Sequence, residues 1–105
     1  MNDPIVDRFL AGCAPVRDKI HAVYLFGSRA KGTDRPDSDY DLLLVVSDEF
    51  SLQDKDRLYD QVMDILLDTG RLVSLKIFRE GAFRKLRMMQ TPFMRHVLTE
   101  GVKLG

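Results

Sequence analysis

Two aspartates two residues apart, Asp39 and Asp41, stand at the mouth of an apolar run that ends at Val46. On a strand, residues i and i+2 point to the same side, so both carboxylates project together from the edge of a sheet. Like charges that close repel and raise one pKa unless a cation sits between them. Hard divalent cations such as Mg²⁺ take carboxylate oxygens and keep places for substrate phosphates. The pair therefore suits a magnesium platform; taken alone, it reads more plainly as two solvated acids in a turn. A second group lies upstream, where Leu25-Phe26 runs into Gly27-Ser28. Glycine after a strand permits a close backbone approach. Ser28 can cap the following turn and leave N–H groups for a phosphate. An ordinary Gly-Ser turn is the alternative. Gly27 and Gly32 have the spacing of a P-loop, but Thr33-Asp34 follows instead of Lys-Ser/Thr, so that motif is not matched.

The elements that must hold these residues follow from punctuation and periodicity. Asp3 caps a helix with Pro4 at its first position. Ile5, Val6, Phe9, Leu10 and Cys13 then recur at helical spacing, and Pro15 ends or kinks the helix. His21 to Phe26 reads as a buried strand, residues 29–38 as mostly loop, and Tyr40 to Val46 as a second, central strand. Ser51 with Asp54 resembles a capping box, opening a helix that Gly70 closes. Leu72 to Phe78 is the third strand, with Val73, Leu75 and Ile77 on one face and Ser74 and Lys76 on the other. Glu80 to Met89 is a helix, and Thr91-Pro92 starts a short one that runs to Glu100. The order α-β-turn-β-α-β-α-α predicts an α/β (α+β) domain with a small mixed sheet flanked by helices, and one domain over residues 1–105.

Composition bounds the rest. With 45% hydrophobic and 30% charged residues the chain is globular, not disordered. The single cysteine excludes an internal disulfide and a cysteine-based zinc cluster, and fits a reducing compartment. No apolar run approaches the about 20 residues of a membrane span, and Met-Asn-Asp-Pro does not read as a signal peptide. A cytoplasmic protein without a membrane role is expected. Sixteen basic residues balance sixteen acidic ones, which argues against general nucleic-acid binding. The zero hides segregation: residues 1–33 carry +2, residues 34–68 carry −8 and residues 71–105 carry +6. Most such runs are solvated helix faces.

Together the two halves are far more specific than either. Gly27-Ser28-Arg29-Ala30-Lys31-Gly32 and Ser38-Asp39-Tyr40-Asp41-Leu42 resemble the G-S-x-A-x-G and S-D-x-D-L signature of the DNA polymerase β-like nucleotidyltransferase superfamily. Within it the chain is similar to the minimal nucleotidyltransferases, the MNT or MntA-like proteins. The likeness extends through Thr91-Pro92-Phe93 to Gly101, although residues 25–45 are the diagnostic part. The resemblance implies the polymerase β-like fold and transfer of a nucleoside monophosphate, AMP from ATP or its counterpart from another NTP, to a protein or RNA acceptor. It implies Mg²⁺ held by Asp39 and Asp41, and a triphosphate held by Gly27, Ser28 and the Ser38 end of the loop. Arg29 and Lys31 either neutralise phosphate charge or are solvated loop cations. It also implies a partner, a helical HEPN-domain protein in a toxin–antitoxin pair, and with it a homo- or hetero-oligomer.

One departure stands out. The superfamily places a third carboxylate on the third strand, and here that strand holds no Asp or Glu. Ser74 is the positional equivalent, and a hydroxyl is no general base near neutral pH. Losing such a base costs about 10²–10⁴ in rate. Three readings follow: slow turnover, substitution by another acid such as Glu80, or nucleotide or partner binding without transfer. Cys13 and one or more of Met88, Met89 and Met94 read as core. His21 and His96 do not read as catalytic, and Arg84, Lys85 and Arg87 read as a solvated helix face.

Overall fold

A computed structural model describes residues 3–26, 40–92, 94–95 and 101–104. Helix α1 spans Pro4–Gly12, and strand β1 spans Ile20–Phe26. Strand β2 covers Tyr40–Val46, helix α2 Leu52–Thr69, strand β3 Val73–Arg79, helix α3 Glu80–Met89 and strand β4 Val102–Lys103. Side-chain caps mark the starts of α1 and α2. The Asp3 carboxylate accepts from the N–H groups of Ile5 and Val6 at 2.9 and 3.4 Å, satisfying donors that a first turn leaves open. Pro15 does not kink α1; the helix ends at Gly12 and a 3-10 turn, Ala14–Lys19, carries the chain into β1.

Helix α2 has a reciprocal capping box. Ser51 Oγ accepts from the Asp54 N–H at 3.1 Å, and Asp54 Oδ2 accepts from the Ser51 N–H at 2.9 Å. Lys19 Nζ donates to the same carboxylate at 3.0 Å, tying the helix to the entrance of β1. Gly70 closes α2 in the left-handed region at φ 74°, where glycine carries no Cβ penalty. The Ser51 N–H, and after it Lys19, hold the Asp54 carboxyl below its usual range. A carboxylate depressed in the folded state stabilises the fold above its unfolded pKa, about 3.9. That contribution is lost as pH falls through the folded value. Ser51→Ala is expected to cost about 1 kcal/mol. Asp54→Asn is expected to flatten the acid limb of stability below about pH 4, as read by chemical denaturation at stepped pH.

The sheet runs β3-β2-β1-β4, with β2 antiparallel to β1 and parallel to β3. Strand β2 is thus interior, as its continuous apolar run requires, and Leu42, Leu43, Leu44 and Val46 are fully buried. Alternation divides the core in two. Leu42 and Leu44 join Val23, Leu25 and Val73 under α1 and α2. Leu43 and Val45 join Ala22, Phe26, Phe83 and Met94 on the α3 face. Strand β4, which pairs with Tyr24 and Leu25, has no counterpart in the expected element order. Of the short helix expected after Thr91, the described residues include its cap. Thr91 Oγ1 accepts from the Met94 N–H at 3.3 Å, and Thr91 O accepts from the Arg95 N–H at 3.0 Å. Among the described residues no helix is long and apolar enough to cross a membrane.

Candidate active-site edge

Three strands meet at one end of the sheet. Phe26 closes β1, Asp41 is the second residue of β2, and Ser74 is the second residue of β3. The register pairs Phe26 with Asp41 and Asp41 with Ser74. Cross-strand partners share a face, and neighbouring strands lie about 4.8 Å apart. The half-buried Asp41 carboxylate therefore rises between an apolar ring and a half-buried hydroxyl. Its alternation partners Leu43 and Val45 put this row on the α3 face of the sheet.

Tyr40, between the two aspartates in sequence, fixes that orientation. It is buried on the opposite face, and its hydroxyl donates to Asp3 Oδ2 at 2.9 Å. The Arg71 guanidinium stands 5.6 Å from its ring centroid, within cation–π range. The Tyr40 N–H extends the ladder to Leu72 O at 2.9 Å. With Tyr40 held from below, Asp41 must face the other side. Sequence reasoning missed this positioning role; an aromatic residue at the centre of D-x-D was its only local signal.

Of the expected site residues, Asp41 is described. Gly27, Ser28, Arg29, Lys31, Ser38 and Asp39 lie outside the described residues, as does His96. Ser74 occupies the place foreseen for it, directly beside Asp41. Lys76 follows two residues on along the same face and is exposed. Among the described residues, no group of three or more His, Cys, Asp or Glu side chains could hold a metal ion. Asp41 is a hard oxygen donor suited to Mg²⁺. On β3 its neighbours are a neutral hydroxyl and a cation, which suit one metal ion better than two.

Glu80 does not take the part of the absent acid. It stands six positions on from Ser74, beyond the end of β3, about 20 Å along a strand. There its carboxylate meets His21 Nδ1 at 2.9 Å and Arg84 at 3.5 Å. Chiefly the His21 hydrogen bond, and less so Arg84, holds its carboxyl below the usual range. The same far end holds a cleft of about 350 Å³, lined by Val46, Phe50, Ile77 and Arg79 among others. It belongs to the opposite edge from Asp41.

The remaining candidates divide as their chemistry suggests. Met94 is core, whereas Met88 and Met89 are exposed. Cys13 is fully buried, and burial pushes its thiol up to about 11. Iodoacetamide at pH 8 is expected to leave Cys13 intact in the native protein and to alkylate it after unfolding in guanidinium. Mass spectrometry reads the outcome, and modification of the native protein at the rate of a free thiol would contradict it.

Comparison with known proteins sets this edge in context. The sequence model of the family described as "Polymerase beta, Nucleotidyltransferase" matches residues 13–104. No curated protein gives a significant match. Among solved structures, a toxin–antitoxin complex with AMP-PNP is 23% identical at a TM-score of 0.60, covering 100% of this chain and 73% of its own. A variant of the toxin–antitoxin MntA-HpeT is 21% identical at a TM-score of 0.61, covering 100% of this chain and 73% of its own. A protein from Sulfolobus solfataricus classed as a nucleotidyltransferase is 20% identical at a TM-score of 0.58, covering 94% of this chain and 75% of its own. Identities of this order speak to the fold, and the mixed sheet with its helices matches the polymerase β-like arrangement.

Proposed function

The chain belongs to the polymerase beta nucleotidyltransferase family, and on that footing we propose that it binds Mg·ATP at the Phe26–Asp41–Ser74 edge and transfers AMP to a hydroxyl of a protein or RNA acceptor. The carrying observation is the pairing of Phe26 with Asp41. Gly27-Ser28 follows directly on Phe26, and Asp39 precedes Asp41 by two residues, so connectivity leads both halves of the motif to one edge. In this reading residues 1–105 form one nucleotidyltransferase domain that works in the cytoplasm.

Asp39 and Asp41 would hold Mg²⁺, and Gly27, Ser28 and Ser38 would cradle the triphosphate, with Arg29 and Lys31 offsetting its charge. Bound there, the metal supplies charge neutralisation and alignment of the leaving group. The acceptor oxygen forms its bond to the α-phosphorus, the bond to the β-phosphate oxygen breaks, and pyrophosphate leaves. Ser74 cannot take the acceptor proton as a carboxylate would, so that proton passes to solvent and turnover is slow. A second reading, nucleotide or partner binding without transfer, draws on the same observation of Ser74 and Lys76 beside Asp41. The solved toxin–antitoxin structures support a protein partner, and the motif resemblance points to a HEPN-domain protein in a hetero-oligomer.

The test is incubation of the chain and its co-encoded partner with α-labelled ATP and Mg²⁺. Label on the acceptor that disappears in Asp39→Ala and in Asp41→Ala supports transfer. Inhibition of the partner that survives both substitutions, with no label transferred, supports the binding reading instead.

A further inference from the structure

Helix α2 carries two apolar stripes. One, with Leu58, Val62 and Ile65, is core. The other faces outward: Leu52, Tyr59, Met63 and Leu67 are 73%, 48%, 52% and 79% exposed. At 3.6 residues per turn these four lie within an arc of about 80° and run for about 22 Å. Asp56 falls within that arc, between Leu52 and Tyr59, and Asp60, Asp64 and Asp68 step away along one flank, each four residues from the last and all exposed. Local energetics do not account for that row. Like charges at i,i+4 destabilise a helix, and aspartate is a poor helix former. Asp64 and Asp68 also stand toward the C-terminal end, where the dipole favours cations, and the last turn has no basic residue. Arg8 pairs with Asp68 from α1. Lys55 and Arg57 temper only the N-terminal half, leaving Asp60 and Asp64 beside Met63 and Leu67.

We propose that this outward face of α2 docks an apolar helix of a partner protein whose flank is basic. Exposed apolar residues gathered on one helix face mark an interaction surface, and the aspartate row selects the charge of what covers it. A second copy of this chain fits less well. Its own basic, methionine-bearing patch, Arg84 to Met89 on α3, spans only about 8 Å. The two patches also lie on opposite faces of the sheet, so two copies cannot cover each other reciprocally. The inference rests on the reading that the chain works with a protein partner, and it is independent of whether AMP is transferred. Label transfer can fail while docking holds, and docking can fail while label reaches an RNA acceptor.

The probe is a fluorescein-labelled 18-residue helical peptide with one leucine stripe and lysines along one flank, alongside a twin with glutamates for the lysines. Fluorescence anisotropy is expected to show the lysine peptide binding about tenfold or more tighter than its twin. Met63→Lys is expected to weaken it by about tenfold with an unchanged melting temperature. Asp60→Lys with Asp64→Lys should reverse the preference toward the glutamate twin. Absence of binding, equal binding of the twins, or indifference to Met63→Lys overturns the proposal. So does sedimentation showing a wild-type dimer that Met63→Lys converts to monomer, which would assign the face to a second copy.

Discussion

Asp41→Asn is expected to lower magnesium-dependent AMP transfer by about 10²–10³-fold, the loss typical of removing one group that stabilises charge in the transition state. The substitution keeps the shape of the side chain and removes its charge. The fold is expected to persist, because strand β2 is anchored by its buried leucines and by Tyr40. The melting temperature without Mg²⁺ is therefore expected to stay close to that of the wild type while activity falls. A parallel collapse of stability and activity would instead make Asp41 a structural residue.

Ser74→Asp is expected to act in the opposite direction. The parallel register sets position 74 directly beside Asp41, so an aspartate there supplies an acid where the superfamily resemblance implies one. A carboxylate acting as general base is worth about 10²–10⁴ in rate, and an increase toward the lower figure is expected. Lys76 on the same face works against a second metal, so Ser74→Asp combined with Lys76→Ala should exceed the single change. Close neighbours of this kind do not add independently. Steady-state label transfer at matched Mg²⁺ concentrations reads both effects. A Ser74→Asp protein no faster than wild type would mean that the acceptor proton has another destination.

Much of the fold could be read from the chain because its punctuation is strong. Asp3-Pro4, the Ser51–Asp54 box and Gly70 each satisfy backbone groups that a helix end leaves open, and each stands at the end it marks. The unbroken apolar run of β2 marked an interior strand, and alternation on β3 placed Ser74 beside Asp41. Strand β4 escaped because two residues carry no period, and its pairing with β1 is a long-range contact. The bond from Tyr40 to Asp3 escaped for the same reason, since 37 residues separate its ends. Glu80 misled through nearness in sequence, for a strand that runs straight carries its next residue far from its first. The even balance of charge, which argues against general nucleic-acid binding, hid where the charges stand. Five of the sixteen acidic residues lie on α2, where exposed aspartates stand beside an apolar stripe.

The edge formed by Phe26, Asp41 and Ser74 is proposed as a magnesium–nucleotide site whether or not turnover follows. Calorimetric titration of AMP-PNP into the protein, with Mg²⁺ and again with EDTA, tests it most directly. The wild-type chain is expected to bind one equivalent only when Mg²⁺ is present, and Asp41→Asn to lose that magnesium-dependent binding while keeping its fold. Equal binding by wild type and Asp41→Asn, or no binding by the wild type at any Mg²⁺ concentration, would contradict the claim.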